Sequence, residues 1–170
     1  MTSRSIQVEI LTASFRVTGR VTVPFSGMLG ILCDTTTSYL GITPYTISLL
    51  NSNISMADQS NYIRVVKRHI IAACLIRKED VSPPPTGRGL TRPSRYLVHI
   101  TTPTHEMEGS LEWPGRFDFT AIMAEGVCDF IPLYDAKLRA NHFPDIWIGS
   151  PAILFNLSYL DTLILLDDKE

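Results

Sequence analysis

The sequence has few cysteines and no long uninterrupted apolar run, and both shortages narrow the class of protein. Its three cysteines, Cys33, Cys74 and Cys128, are far apart and form no CxxC pair. This spacing argues against a disulfide framework and against a zinc site, so we expect three reduced thiols that pack as small apolar side chains. The most apolar stretch, AILFNLSYLDTLILL, is interrupted by Asn, Ser and Asp. It is too short and too polar to cross a bilayer, which predicts no membrane insertion.

Sequence signals for export and for catalysis are also missing. The N-terminal MTSRSIQVEI has no apolar segment typical of a signal peptide, which predicts a cytoplasmic protein. The four histidines form no HxH or HExxH motif, and no GxSxG motif occurs. We therefore predict no catalytic residue, no cofactor, no metal site and no enzyme activity. An enzyme with its site between the two halves of the chain is the least favoured alternative.

The sequence does contain an internal repeat. The stretch RVTGRVTVPF at 16–25 recurs as EMEGSLEWPG at 106–115, and self-similarity of this kind determines an architecture. We predict a tandem duplication with a first unit at 5–76, a Pro- and Gly-rich linker at 77–94 and a second unit at 95–166. A shift of 90 aligns these identical residues: Val8 with Val98, Ile10 with Ile100, Thr12 with Thr102, Gly19 with Gly109, Pro24 with Pro114, Ile63 with Ile153, and Leu75 with Leu165.

Each unit shows the same order of local patterns. Apolar residues alternate with period two before and after a short turn, which predicts an antiparallel hairpin that ends at Pro24 or Pro114. A helix follows, with Asp118 as N-cap and Gly126 as C-cap in the second unit. Two further strands and a last hairpin complete the pattern. About five strands and one helix in 75 residues favour closure, so the predicted fold is mainly β: two duplicated small SH3-like or Sm-like β-barrels, each with one short helix.

Two segments carry a resemblance to a known family. Gly19 to Pro24 reads GRVTVP, and Phe130 to Ala136 reads FIPLYDA. Together with the short apolar helix, they resemble an uncharacterised bacterial domain family with a G-x-V…P, short helix, F-I-x-L-x-D-A pattern, present here in tandem. The resemblance covers both units loosely and implies no known activity.

Charge is divided unequally between the two units. Residues 1–90 contain 9 Lys or Arg and 5 Asp or Glu, whereas residues 91–170 contain 6 and 12. Equivalent outer strand faces are basic in one unit and acidic in the other, as complementary docking requires. We therefore predict a non-enzymatic protein-interaction or scaffolding protein that docks or oligomerises through these faces. The expected interface residues are Arg16, Arg20, Phe25, Glu106, Glu108, Glu112 and Trp113.

A nucleic-acid-binding pair of Sm-like barrels is the alternative function. Arg64, Lys67 and Arg68 form a basic cluster in the stretch YIRVVKRHI, and such side chains bind phosphates. The net charge of −2 argues against this alternative. A protein partner or self-association is therefore preferred to nucleic acid.

Overall fold

The computed structural model describes residues 3–50, 61–82, 92–124, 128–145 and 147–166. These residues are mainly in β-strands, which confirms the predicted fold class. The strands are β1 (Arg4–Leu11), β2 (Phe15–Val23), β3 (Tyr39–Ile42), β4 (Tyr45–Leu49), β5 (Ile63–Val66), β6 (Ala72–Leu75), β7 (Ser94–Thr101), β8 (His105–Trp113), β9 (Phe130–Ala140), β10 (Ile148–Asn156) and β11 (Thr162–Leu165). The helices are α1 (Gly27–Cys33) and α2 (Phe119–Ile122), and 3₁₀ turns lie at Lys67–His69, Lys78–Asp80 and Leu157–Tyr159.

Each half begins with the predicted antiparallel hairpin. β1 pairs with β2, and β7 pairs with β8, in registers that differ by 90 residues. The turns contain no Asn-Gly; Thr12 and Thr102 organise them instead. The hydroxyl of Thr12 accepts from the Phe15 backbone N–H at 3.0 Å, and that of Thr102 accepts from the His105 backbone N–H at 2.9 Å. β2 and β8 end just before Pro24 and Pro114, as expected.

The strands form one open sheet and one small sheet. The large sheet has the order β11-β7-β8-β9-β10-β6-β1-β2-β4, and β3 pairs with β5 separately. The predicted last hairpin is wrong, because β5 pairs with β3 and β6 pairs with β1 and β10. The reason is the 3₁₀ turn Lys67–His69, which separates β5 from β6. Because the large sheet is open, the two barrels stay a prediction.

The helices follow the second strand of each half, as predicted. Asp118 caps α2, its Oδ1 accepting from the Ala121 backbone N–H at 3.2 Å. The predicted C-cap, Gly126, lies outside the described residues. α1 packs against β2 and β9. No helix in the described part of the chain is long and apolar enough to span a membrane.

Two hydrophobic cores receive side chains from both halves. The first core includes Met28, Leu40 and Ile42 together with Ala152 and Leu154 of β10. The second core includes residues of β7 to β10 together with Leu11, Ala72 and Cys74. Because side chains alternate along a strand, β6 and β10 each supply both cores, one from each face. The two halves therefore share their central strands.

Element bounds recur between the halves with a nearly constant shift. A shift of 90 takes β1 to β7, β2 to β8, β6 to β11 and the 3₁₀ turn Lys67–His69 to Leu157–Tyr159. A shift of 91 takes the span from β3 to β4 onto the single strand β9. The predicted unit boundaries at 5–76 and 95–166 stay a prediction. Residues 83–91 of the predicted linker lie outside the described residues.

Candidate functional site

The candidate site is the joint, which we define as the antiparallel pairing of β6 with β10. Leu75 pairs with Ala152, and Ala72 pairs with Phe155. Beyond the ladder, the backbone N–H of Asn156 donates to the Ile71 carbonyl at 2.9 Å, and its Nδ2 donates to the Ile70 carbonyl at 3.0 Å. Both strands are buried here. The joint is thus a continuous main-chain connection, covered by side chains on both faces.

A cleft of about 560 Å³ lies beside the joint. It is lined by residues of both halves, including Lys67, Asp129 and Asn156. The ammonium of Lys67 donates to the carbonyls of Ile31 and Asp34 at 2.6 and 2.7 Å, so it stabilises the end of α1. Burial lowers the pKa of Lys67 from its ordinary value. The amine therefore serves the fold and is not free to bind a ligand.

A disulfide crosses between the halves, which corrects the expectation of three reduced cysteines. Cys33 and Cys128 are bonded, with their Cα atoms 5.0 Å apart and a separation of 95 positions in sequence. Sequence spacing was misleading because α1, which ends at Cys33, packs against β9, which begins two residues after Cys128. Cys74 is free and buried, as predicted.

The two arginines of the predicted basic face have hydrogen-bond partners within the first half, and one of these partners is acidic. Arg16 forms an ion pair with Glu9 of the neighbouring strand, and its Nη2 donates to Oε2 at 2.9 Å. The Nε of Arg20 donates to the hydroxyl of Ser5 at 3.0 Å. Phe25 is 79% exposed, so its ring is available to a partner. The two arginines therefore already have partners on their own hairpin.

The predicted acidic face is neutralised within the second half by basic side chains. Glu106 bonds to Arg139 at 2.7 Å, Glu108 to Lys137 at 2.8 Å and Glu112 to Arg95 at 3.2 Å. The bond to Lys137 is the main cause that lowers the pKa of Glu108. Trp113 is half-buried against the second core. Among the ion pairs of the described residues, none joins this face to the basic face.

Residues of the predicted nucleic-acid cluster have three different environments. Lys67 is buried, as described above. Arg64 is exposed, and its guanidinium carbon lies 4.9 Å from the ring centre of Tyr62 and 5.4 Å from that of Tyr39. Arg68 is exposed beside His69. The structure therefore combines Arg64 with two half-exposed aromatic rings and separates it from Lys67.

Several contacts between elements had no sequence signal that we recognised. Lys78 of the first half bonds to Asp135 of the second at 2.6 Å, and this bond is the main cause that lowers the pKa of Asp135. Lys137 and Arg139 lie 4.5 and 4.7 Å from the ring centre of Trp147. The alternation of β9 places both cations on one face, which was a usable signal. No group of three His, Cys, Asp or Glu that could hold a metal occurs in the part of the chain described.

Comparison with known proteins found no matching family model, no matching curated protein and no matching solved structure.

Proposed function

We propose that this chain is a non-enzymatic protein-interaction or scaffolding protein that assembles by adding strands to its sheet. The observation that carries this proposal is the joint, where β6 and β10 connect the halves through main-chain bonds and buried side chains. Strand addition of this kind is a common mode of protein recognition, with affinity from the main chain and specificity from alternate side chains. Within this chain, the pairing of β6 with β10 already adds the strands of one half to those of the other.

The proposal includes the tandem duplication of two SH3-like or Sm-like barrels. It is supported by matching registers: Val8 pairs with Leu75 in the first half and Val98 with Leu165 in the second. Likewise, Leu40 pairs with Val65 and Ile131 with Phe155. Each half thus places equivalent residues opposite each other, as descent from one smaller unit would produce.

The charged faces have a secondary role in this proposal. Exposed ion pairs contribute only about 0.2 to 1 kcal/mol each. Arg16, Glu106 and Glu108 already form ion pairs inside their own half. Docking through the faces would require an exchange of partners. Reversal of Arg16 and Arg20 to Glu tests this role, since loss of assembly would show that the faces contact each other between chains.

The test of the proposed function is the native mass of the chain. We expect the protein cross-linked in its own cells, and then purified, to have a mass above the 19.0 kDa of one chain, either with itself or with another protein. A protein that is monomeric after cross-linking and after purification at high concentration would contradict the proposal.

Nucleic-acid binding is the second candidate, favoured by Arg64 between Tyr39 and Tyr62. Aromatic rings that stack on bases, with a nearby arginine, are a common arrangement for single-stranded nucleic acid. We expect Arg64→Ala and Tyr62→Ala to weaken any binding of single-stranded RNA, whereas Lys67 takes no part. A protein that shifts no RNA or DNA at low salt would eliminate this candidate.

A cytoplasmic location stays a prediction, and the disulfide bears on it. Disulfides are rare in reducing compartments and persist in oxidising ones. Fractionation of the native cells, with alkylation of free thiols before lysis, tests the location and the Cys33–Cys128 bond together. A cytosolic protein with three alkylated cysteines would agree with the prediction and place the reduced form in the cell.

A further inference from the structure

Two pairs of strands are equivalent under the shift of 90, namely β6 with β10 and β11 with β5, and only the first pair forms the joint. The shift of 90 takes β6 onto β11, and it takes the last four residues of β10 onto β5. β11 pairs with β7 as β6 pairs with β1, and β5 pairs with β3 as β10 pairs with β9. β6 and β10 then pair with each other. Among the described residues, β11 and β5 have no further strand.

Apolar side chains on these two edges are exposed where their counterparts at the joint are buried. On the β11 edge, Ile164 is 50% exposed, whereas its counterpart Cys74 is 6% exposed. Leu165 is 42% exposed, whereas Leu75 is 1% exposed. On the β5 edge, Val66 is 39% exposed, whereas its counterpart at the joint, the polar residue Asn156, is 2% exposed. At these positions the joint has a neighbouring half, whereas the β11 and β5 edges have none among the described residues.

We propose that a second copy of this chain covers these edges, with β11 of one chain paired antiparallel to β5 of the next. This inference rests on the proposed function and names its partner. The register of the joint, shifted by 90, places Ile164 opposite Ile63 of the next chain and Leu163 opposite Arg64. Ile164 then enters the first core of the next chain, as Cys74 enters the second core at the joint.

The contact is head to tail, because β11 belongs to the second half and β5 to the first. Contacts of this type generate a ring when the rotation closes and a filament when it does not. The opposite net charges of residues 1–90 and 91–170 favour first-half to second-half contact and oppose contact between like halves. Arg64 occupies the position equivalent to Leu154 of the joint. The contact between chains is therefore less apolar and weaker than the joint.

Backbone geometry identifies the donors that the contact needs. The Leu166 N–H donates inward to the Leu97 carbonyl of β7 at 2.9 Å. Because inward and outward groups alternate in an antiparallel ladder, the N–H groups of Leu163 and Leu165 point outward, toward the next chain. Leu165→Pro therefore removes one outward donor without removing a bond to β7, and Leu165→Ala is its matched control.

The experiment compares the native masses of the wild-type chain and its edge variants by light scattering. We expect a wild-type mass of two or more times 19.0 kDa, either one discrete ring or a broad series of filaments. Ile164→Lys blocks the β11 edge and Val66→Lys blocks the β5 edge, so each variant alone is expected to be a monomer. Met123→Lys, at a position 43% exposed and off both edges, is expected to keep the wild-type mass.

Mixing the two blocked variants gives the decisive result. Each retains the edge that the other lacks, so a mixture is expected to form a one-to-one dimer and to stop there. Leu165→Pro is expected to reduce the mass more than Leu165→Ala, because both variants lose the apolar side chain and only the proline also loses the outward N–H. This comparison gives a second test if Ile164→Lys does not fold. Edge variants that keep the wild-type mass would overturn this inference and leave the proposed function standing. A wild-type chain that is monomeric when pure but assembled with another protein in its cells would do the same.

Discussion

Replacement of His105 by Phe is expected to reduce the loss of stability of this protein between pH 7 and pH 5. His105 lies on β8 and is 1% exposed. Its Nδ1 contacts the Thr104 hydroxyl at 2.9 Å, and Nε2 has no hydrogen-bond partner in the described part of the chain. Burial lowers the pKa of His105 to about 4 from an ordinary value of 6.5. The folded protein therefore keeps this ring neutral well below pH 6.5.

The sign and size of the effect follow from the two pKa values. Above pH 6.5 the ring is neutral in both the folded and the unfolded state, so it adds no pH dependence. As the pH falls below 6.5 the unfolded state takes up a proton and the folded state does not, so stability falls until about pH 4. Since one pKa unit corresponds to about 1.4 kcal/mol, the loss between pH 7 and pH 5 from His105 is about 2 kcal/mol.

Urea denaturation at pH 7 and pH 5 measures this loss as a change in the free energy of unfolding. His105→Phe is a suitable variant because Phe15 occupies the equivalent place on β2, and we expect its loss to be smaller by about 2 kcal/mol. His142→Gln, at an exposed position, is the control and should lose as much as the wild type. Equal losses in the wild type and in His105→Phe would refute the reasoning.

Three further predictions concern stability at neutral pH, measured by urea denaturation. Cys33→Ser removes the disulfide to Cys128 and is expected to lower the free energy of unfolding by about 3 kcal/mol. The disulfide would be contradicted if this variant were as stable as the wild type and if all three thiols of the wild-type protein reacted with an alkylating reagent. Lys67→Met leaves the oxygens at the end of α1 without their donor and is expected to cost about 2 kcal/mol, so a change under about 0.5 kcal/mol would contradict the role given to that amine. Gly19→Ala forces a Cβ against the backbone before β4 and is expected to cost about 1 to 3 kcal/mol. Gly149→Ala, with no described heavy atom within 4 Å, is the control; equal effects would refute this account of Gly19.

Local features of this protein were predictable from its sequence. Alternating apolar residues predicted β1, β2, β7 and β8, because side chains of a strand alternate between faces whatever the strand pairs with. The strand ends at Pro24 and Pro114 were also predictable, because proline has no N–H for the ladder. The same holds for the cap at Asp118, which depends on a backbone group only three residues away.

Contacts between distant residues were not predictable in the same way. The sequence indicated that β5 and β6 were strands but did not indicate which strands they pair with. The alternation of apolar and polar residues along a strand is the same whatever its partner strand is. It likewise contained no signal that Lys67 would be buried under the end of α1. Charges on the strand faces were identified, but their partners Glu9 and Arg139 lie on neighbouring strands whose register follows from the fold.

The sequence by itself determined where most strands lie and which residues alternate between core and solvent, and it predicted that the second half repeats the first with a shift of 90. These properties follow from local backbone geometry and from residue identity. Only the tertiary structure decided that β6 pairs with β10 and that Cys33 is bonded to Cys128. It also decided that β11 and β5 have no further strand among the described residues. These properties depend on which surfaces bury the most apolar area when the halves meet. Residues that are distant in sequence contribute to that area together.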